Sequence, residues 1–337
     1  MATAAQLEIL DLRHFSAATL RPLLAEESRV WSERLRWDYR SSANLLLDYL
    51  DSHVLPGYVA VEKEKLCGYI FCVYENAKAV IGDVFCSPAL CEDANRVEAR
   101  LLEHLLELLQ FSPGIDRIET QLLLHPHGAH QHAFETAGFE IHERLFMELD
   151  FSLADVQASM GGGLARPQDL VPPELELRPW KDSDFAAAGR LIAAAYHDHL
   201  DSRINDQYQT VAGSLRFLHN IVRFPGCGIF DAAASSVIAY RDRRNENELA
   251  GMVLCSRVGE GTGHVTQICI APTYRRRGLG AVLLKSCIHL LIATRYAALT
   301  LTVTAANTPA VDLYNGLGFT VRHNFDAMVW KRTPRQR

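Results

Sequence analysis

The stretch APTYRRRGLGAVLLKSC, residues 271–287, sets three arginines directly before Gly-Leu-Gly and then runs into an apolar segment. Leu279, Val282, Leu283, Ser286 and Leu290 recur at helical spacing, which predicts a helix from 278 to about 294. A glycine turn that opens a helix is an anion site. The first N–H groups of the helix lack intrahelical acceptors, and the helix dipole places partial positive charge beside them. Gly278 and Gly280 remove side chains that would hold a phosphate away, while Arg275, Arg276 and Arg277 add formal charge. The pattern predicts a polyphosphate ligand, a pyrophosphate first. It is not a P-loop, since no Gly-Lys-Ser/Thr follows, and Gly-x-Gly-x-x-Gly is incomplete. The plainer reading is a basic helix cap on a glycine turn.

Working outward, residues 237–242, 249–258 and 264–270 are predicted strands joined by turns of about five residues, an antiparallel meander. The connection then changes. The helix of some twenty-five crossover residues leads to a strand at 299–303, which predicts a parallel pair with a right-handed crossover. A short helix over 309–317 starts with Pro309, and one or two strands close the chain. Upstream lie a strand at 175–180 and helices over about 185–196 and 207–222. Residues 152–174, SLADVQASMGGGLARPQDLVPPE, break all periodicity and predict a linker.

The half before that linker repeats the order. Strands are predicted at 57–61, 66–74 and 79–87, a strong amphipathic helix at 97–110 and a strand at 115–124. A short helix then ends at Ala137-Gly138-Phe139, which matches Leu317-Gly318-Phe319. The chain therefore divides into a first domain, 1–151, a linker, 152–174, and a second domain, 175–337. Each is expected to be α+β, a mixed and mostly antiparallel sheet flanked by helices. At 337 residues, 48% hydrophobic and 22% charged, the chain can bury two ordinary cores. A net charge of −6 argues against bulk nucleic-acid binding. No leader-like segment and no apolar run of about 18 residues is seen, so no membrane partner is expected. The eight cysteines, none in a Cys-x-x-Cys, are expected to be free thiols in a reducing cytoplasm.

Residues 264–319 resemble the GNAT acyltransferases, which bind acetyl-CoA. Arg275, Gly278 and Gly280 fit that family's Arg/Gln-x-x-Gly-x-Gly/Ala signature, and Asn307, Ala310, Leu313-Tyr314 and Gly318-Phe319 fit its second signature in order and spacing. The tandem arrangement, with chemistry in the second copy, is similar to that of mycothiol synthase. The resemblance implies acetyl-CoA as cosubstrate, with backbone N–H groups of Arg277, Gly278, Leu279, Gly280 and Ala281 on the pyrophosphate. It implies Ile268, Cys269 and Ile270 pairing with the pantetheine arm, Asn307 and Ala310 beside it, and Tyr314 as general acid. A phenol of pKa about 10 can share its proton with a departing thiolate of pKa about 8.5.

A neutral amine must attack, so a base is useful. His264 occupies the place where many family members carry a glutamate, and imidazole suits that task; Glu260 is a rival, and a strand-end histidine without a role is the other reading. Tyr196, Asp198 and Asp201 are candidate contacts for a cationic amine, or else a solvated helix end. No metal is expected, either at His197-x-His199 or at His125, His127, His130 and His132, where no acid or cysteine in sequence completes a set. The expected activity is N-acetyl transfer to a primary amine of a small molecule or peptide, by direct attack in a ternary complex. The alternatives are a non-catalytic acyl-CoA sensor or a tandem transferase with another acyl donor. A monomer or a homodimer both fit. In the first half, Val80, His127 and Phe134 stand where His264, Asn307 and Tyr314 stand in the second, and 89–96 lacks both glycines. That copy is expected to bind no acetyl-CoA.

Overall fold

The computed structural model describes residues 7–153, 167–223, 228–242 and 248–333. Two compact units emerge. The first comprises Met1–Leu35, Tyr39–Arg144 and Asn324–Arg337, the second Arg36–Asp38 and Leu145–His323. Division of the chain at 151 and 175 would have left residues 324–337 with the second domain; by contact they belong to the first. Much of the expected linker, 154–166, and Cys227 lie outside the described residues.

The first unit holds β1 (Leu7–Asp11), α1 (Ala17–Leu35), α2 (Arg40–Asp51), β2 (Gly57–Glu62), β3 (Lys65–Glu75), β4 (Lys78–Cys86), α3 (Ala94–Phe111), β5 (Arg117–Gln121) and α4 (Gln131–Thr136). β1 to β4 form an antiparallel meander. After the α3 crossover β5 pairs parallel with β4, Lys78 opposite Arg117. The sheet is extended on the other edge of β5 by β13 (Thr320–Lys331), whose Ala327 to Lys331 pair antiparallel with it. Val97, Leu101, Leu105 and Leu109 of α3 pack on Ile70, Ile81 and Ile118, with Met328 of β13 in the same core. The 3.6 spacing of those leucines is why the helix forms and which face it buries.

The second unit repeats this plan. β7 (Leu175–Pro179), β9 (Ser236–Tyr240), β10 (Leu249–Gly259) and β11 (Thr262–Ile270) run antiparallel, and β8 (Ile229–Phe230) pairs β10. The crossover helix α8 (Leu279–Ala293) leads to β12 (Ala298–Thr304), parallel to β11. β12 is bordered by β6 (Glu140–Asp150), whose residues from Leu145 onward belong to this unit. Two cores lie on the two faces of the sheet. On one, Leu279, Leu283, Cys287 and Leu291 of α8 and Tyr314 of α9 (Thr308–Gly316) pack on Val253, Val265 and Leu301. On the other, α5 (Phe185–Ala195) and α7 (Val211–Arg223) cover Val237, Met252, Leu254 and Cys269. The short α6 (Asp201–Ile204) lies between α5 and α7 in sequence. The mixed, mostly antiparallel sheet with flanking helices is the α+β architecture expected. The described cysteines are all free, and those of β3, β4, β10, β11 and α8 are buried. Among the described residues no helix is long and apolar enough to cross a membrane.

Candidate active site

The second unit's sheet opens where β11 and β12 part. Their parallel ladder pairs Thr262 to Val265 with Ala298 to Leu301 and stops there. Beyond Val265 the β12-facing edge of residues 266–270 has no strand partner among the described residues, while the other edge stays paired with β10 through an irregularity at Leu254 and Cys255. Ile268 and Ile270 pack toward the α8 face, and Cys269 is buried on the opposite face. Burial raises the Cys269 thiol far above its ordinary range, so it is no nucleophile.

The open edge points along the chain to the glycine turn. Gly278 is the N-cap of α8 with φ +78°, a left-handed conformation in which no side chain caps the helix. Arg276 also adopts a left-handed φ of 61°. The first intrahelical bond runs from the Val282 N–H to the Gly278 carbonyl, so the N–H groups of Leu279, Gly280 and Ala281 have no acceptor within the helix. At Gly280 a Cβ would lie 3.2 Å from Leu313 Cδ2, so the missing side chain also lets α8 and α9 approach. Arg275, Arg276 and Arg277 are exposed; Arg275 donates to the Ala195 carbonyl and Arg277 lies 5.0 Å over the Tyr274 ring.

Asn307 is the N-cap of α9, and its side chain does not cap the helix it begins. Two turns on, Tyr314 is buried and its ring centroid lies 5.9 Å from that of Phe319. Tyr196, at the C-terminal end of α5, stacks at 4.5 Å on Tyr208 and donates to the Ile268 carbonyl at 3.4 Å. Burial, reinforced by Tyr208, Asp201, Cys269 and Tyr314, holds its phenol well above the usual range, so it stays neutral. Asp201 accepts from the Thr304 hydroxyl at the end of β12. Asp198 lies on a left-handed turn, its side chain 90% exposed beside His197 at 2.9 Å. An open depression of about 380 Å³ over Tyr196, His197, Asp198, His199, Ser202 and Arg203 faces solvent here.

His264 lies enclosed in the sheet rather than on its open edge. Thr300 donates its hydroxyl to the Gly263 carbonyl, so His264 Nδ1–H must be the donor in the 2.9 Å contact with Thr300 Oγ1. The ring lies 5.0 Å from Trp37 and 5.9 Å from Phe146, within the paired part of the strands. Burial lowers its pKa to about 3. A group so weakly basic takes no proton from an amine near neutrality. Glu260, the rival, lies in the β10–β11 turn. Tyr208, Thr304 and His199 were not expected at the cleft; no spacing signal marks them, because a short helix and a loop bring them there.

The first unit shows the same turn filled from within. Asp93 caps α3 by accepting from the Arg96 N–H at 3.1 Å. Glu62 accepts from the Glu92 N–H and from the Arg96 guanidinium, both at 2.8 Å. Phe134 stands in the place of Tyr314 and meets Phe139 at 5.1 Å as Tyr314 meets Phe319.

Residues 193–319 match the acetyltransferase (GNAT) family. The chain has the tandem GNAT fold. It is similar to a mycothiol acetyltransferase of Renibacterium salmoninarum, 26% identical over 227 residues that cover 66% of this chain. The match spans 61% of that relative's length. Among solved structures, a GCN5-related N-acetyltransferase from Sphaerobacter thermophilus superposes with a TM-score of 0.61 at 13% identity, over 96% of this chain and 95% of that one. A tandem GNAT protein from the clavulanic acid biosynthesis pathway gives 0.60 at 14%, over 98% and 100%. At such identities these two likenesses concern the tandem GNAT fold alone.

Proposed function

We propose that the second unit transfers an acetyl group from acetyl-CoA to a primary amine, by direct attack in a ternary complex. One observation carries the reading: an unpaired strand edge at 266–270 leads straight to an uncapped helix N-terminus flanked by three arginines. An extended arm with amide groups fits the first, and a pyrophosphate fits the second. The likeness to a mycothiol acetyltransferase supports the same class of reaction.

In this reading Ile268 and Ile270 offer backbone groups to the pantetheine, with Cys269 between them as a buried spacer. The N–H groups from Arg277 to Ala281 receive the pyrophosphate, with Arg275 fixing the turn to α5 and Arg276 and Arg277 supplying charge. Asn307 is free of its own helix to hold the arm, and Ala310 leaves room for it. Tyr314 gives its phenolic proton to the departing sulfur, and the proton lost from the nitrogen of the tetrahedral adduct restores the phenol through solvent. Asp201 orients the ammonium form of the acceptor and passes its surplus proton to water, leaving the nitrogen lone pair to attack the thioester carbon. Tyr196 and Asp198 line that side of the cleft; the enclosed His264 is not used as the base.

Calorimetric titration with acetyl-CoA, followed by thiol release with an amine panel, tests this. Binding is expected to weaken at least tenfold when Arg276 and Arg277 are both replaced by alanine. No binding to the unaltered protein would sink the proposal. Binding without thiol release on any amine would favour the acyl-CoA sensor.

A further inference from the structure

The histidine-rich loop after β5 has no place in acyl transfer, yet the fold gives it a partner that the sequence does not put beside it. Glu98, in the first turns of α3, meets His125 and His130 inside the first unit. His125 Nε2 lies 2.9 Å from the Val84 carbonyl oxygen, so that nitrogen carries the hydrogen and donates. Its Nδ1 keeps a lone pair. That lone pair faces His130 Nε2 at 3.1 Å and Glu98 Oε2 at 3.7 Å, and His130 Nε2 lies 3.5 Å from the same oxygen.

Three ligand atoms thus form a triangle with sides of 3.1, 3.5 and 3.7 Å. Donors held at about 2.0–2.1 Å around a tetrahedral ion stand about 3.3 Å apart. The side chains are enclosed, with exposures of 9% for Glu98, 13% for His125 and 7% for His130. A carbonyl on the far nitrogen is also the usual means of fixing a metal-bound imidazole, and here Val84 supplies it, with Asp83 Oδ1 4.0 Å away.

We propose that Glu98, His125 and His130 bind one divalent transition-metal ion, zinc foremost. Two imidazoles and one carboxylate favour zinc over magnesium or calcium. On binding, His130 exchanges its hydrogen from Nε2 to Nδ1 and the freed Nε2 lone pair takes its place at the ion; the fourth position is open to water. The degenerate copy would then be held together by a metal where its twin holds a cosubstrate. This inference is independent of the proposed acetyl transfer.

The test uses the full chain stripped by chelator and titrated with cobalt(II), then zinc(II). One equivalent of cobalt is expected to give the intense visible absorption of a four-coordinate site, and one equivalent of zinc to abolish it. Glu98→Gln and His130→Gln are each expected to weaken cobalt binding at least tenfold, with circular dichroism and acetyl-CoA affinity unchanged. Should either variant fail to fold, the unaltered protein decides: zinc is expected to raise its melting temperature by several degrees. No visible band, no thermal shift, or a band that survives in both variants but is lost in His197→Gln would each overturn the assignment.

Discussion

Tyr314 and His264 are equally enclosed, each 6% exposed, yet enclosure means different things for the two groups. A phenol acts as an acid while neutral, so burial keeps it ready. An imidazole acts as a base only if it can accept charge, and burial forbids that. Tyr314→Phe is therefore expected to lower kcat by about 10²-fold or more, with little change in the acetyl-CoA affinity read by calorimetry. For His264 the pH dependence has a definite sign. Its folded pKa of about 3 lies below the unfolded value of about 6.5. The unfolded chain therefore binds the extra proton between those values, and the stability contribution is full above 6.5 and lost as pH falls toward 3, by at most about 1.4 kcal/mol per unit. His264→Asn retains a donor for Thr300 and is expected to flatten that part of the stability–pH curve in chemical denaturation. The same variant should leave the alkaline and neutral pH–rate profile unshifted; a shifted limb would restore the histidine as base.

The elements that build the cleft were readable to different depths. α8 declares itself through its leucine spacing and its glycine start, and β11 and β12 through apolar runs on either side of it. Their parting at Val265 and Leu301 is not written in either strand, because the end of a ladder depends on the path of the neighbour. Native-state hydrogen exchange is expected to show amides of 266–270 exchanging faster than those of 262–265, and slowing when acetyl-CoA is added. Gly278→Ala would place a Cβ at φ +78°, where space is open but the backbone is strained by about 1 kcal/mol. A weaker acetyl-CoA titration with a folded protein is the expected outcome. α1 and α2 escaped the periodicity reading. In α1, Pro22 lies inside the helix and Glu27 is buried among leucines, where it receives hydrogen bonds from Tyr69 and Trp31. A buried acid on the core face defeats a hydrophobic pattern.

Across the whole chain, duplication explains both the repeated order of elements and the contrast between the two turns. It does not explain where each unit ends. Residues 324–331 belong to the first unit, 327–331 pairing with β5, while Asp326 accepts from His127 at 2.6 Å and from the Gly128 N–H at 2.8 Å and Met328 enters the core. A chain ending at His323 is expected to lose the folding of the first unit before the second, seen by limited proteolysis as early cleavage between residues 40 and 140. Cleavage first in 175–323 would contradict the contact-based division.

Repeat, periodicity, glycine turn and the Asn307–Tyr314 spacing all act over a few residues or a few turns, so they were legible from order alone: two α+β copies, one with an anion turn and one without. Burial, charge state and partner choice depend on residues far apart in the chain. Only the folded molecule could enclose His264, tie Asp201 to Thr304 while leaving Asp198 exposed, fill the first turn with Asp93 and Glu62, and bring Glu98 to His125 and His130, because each of these is settled by which atoms exclude water from which others.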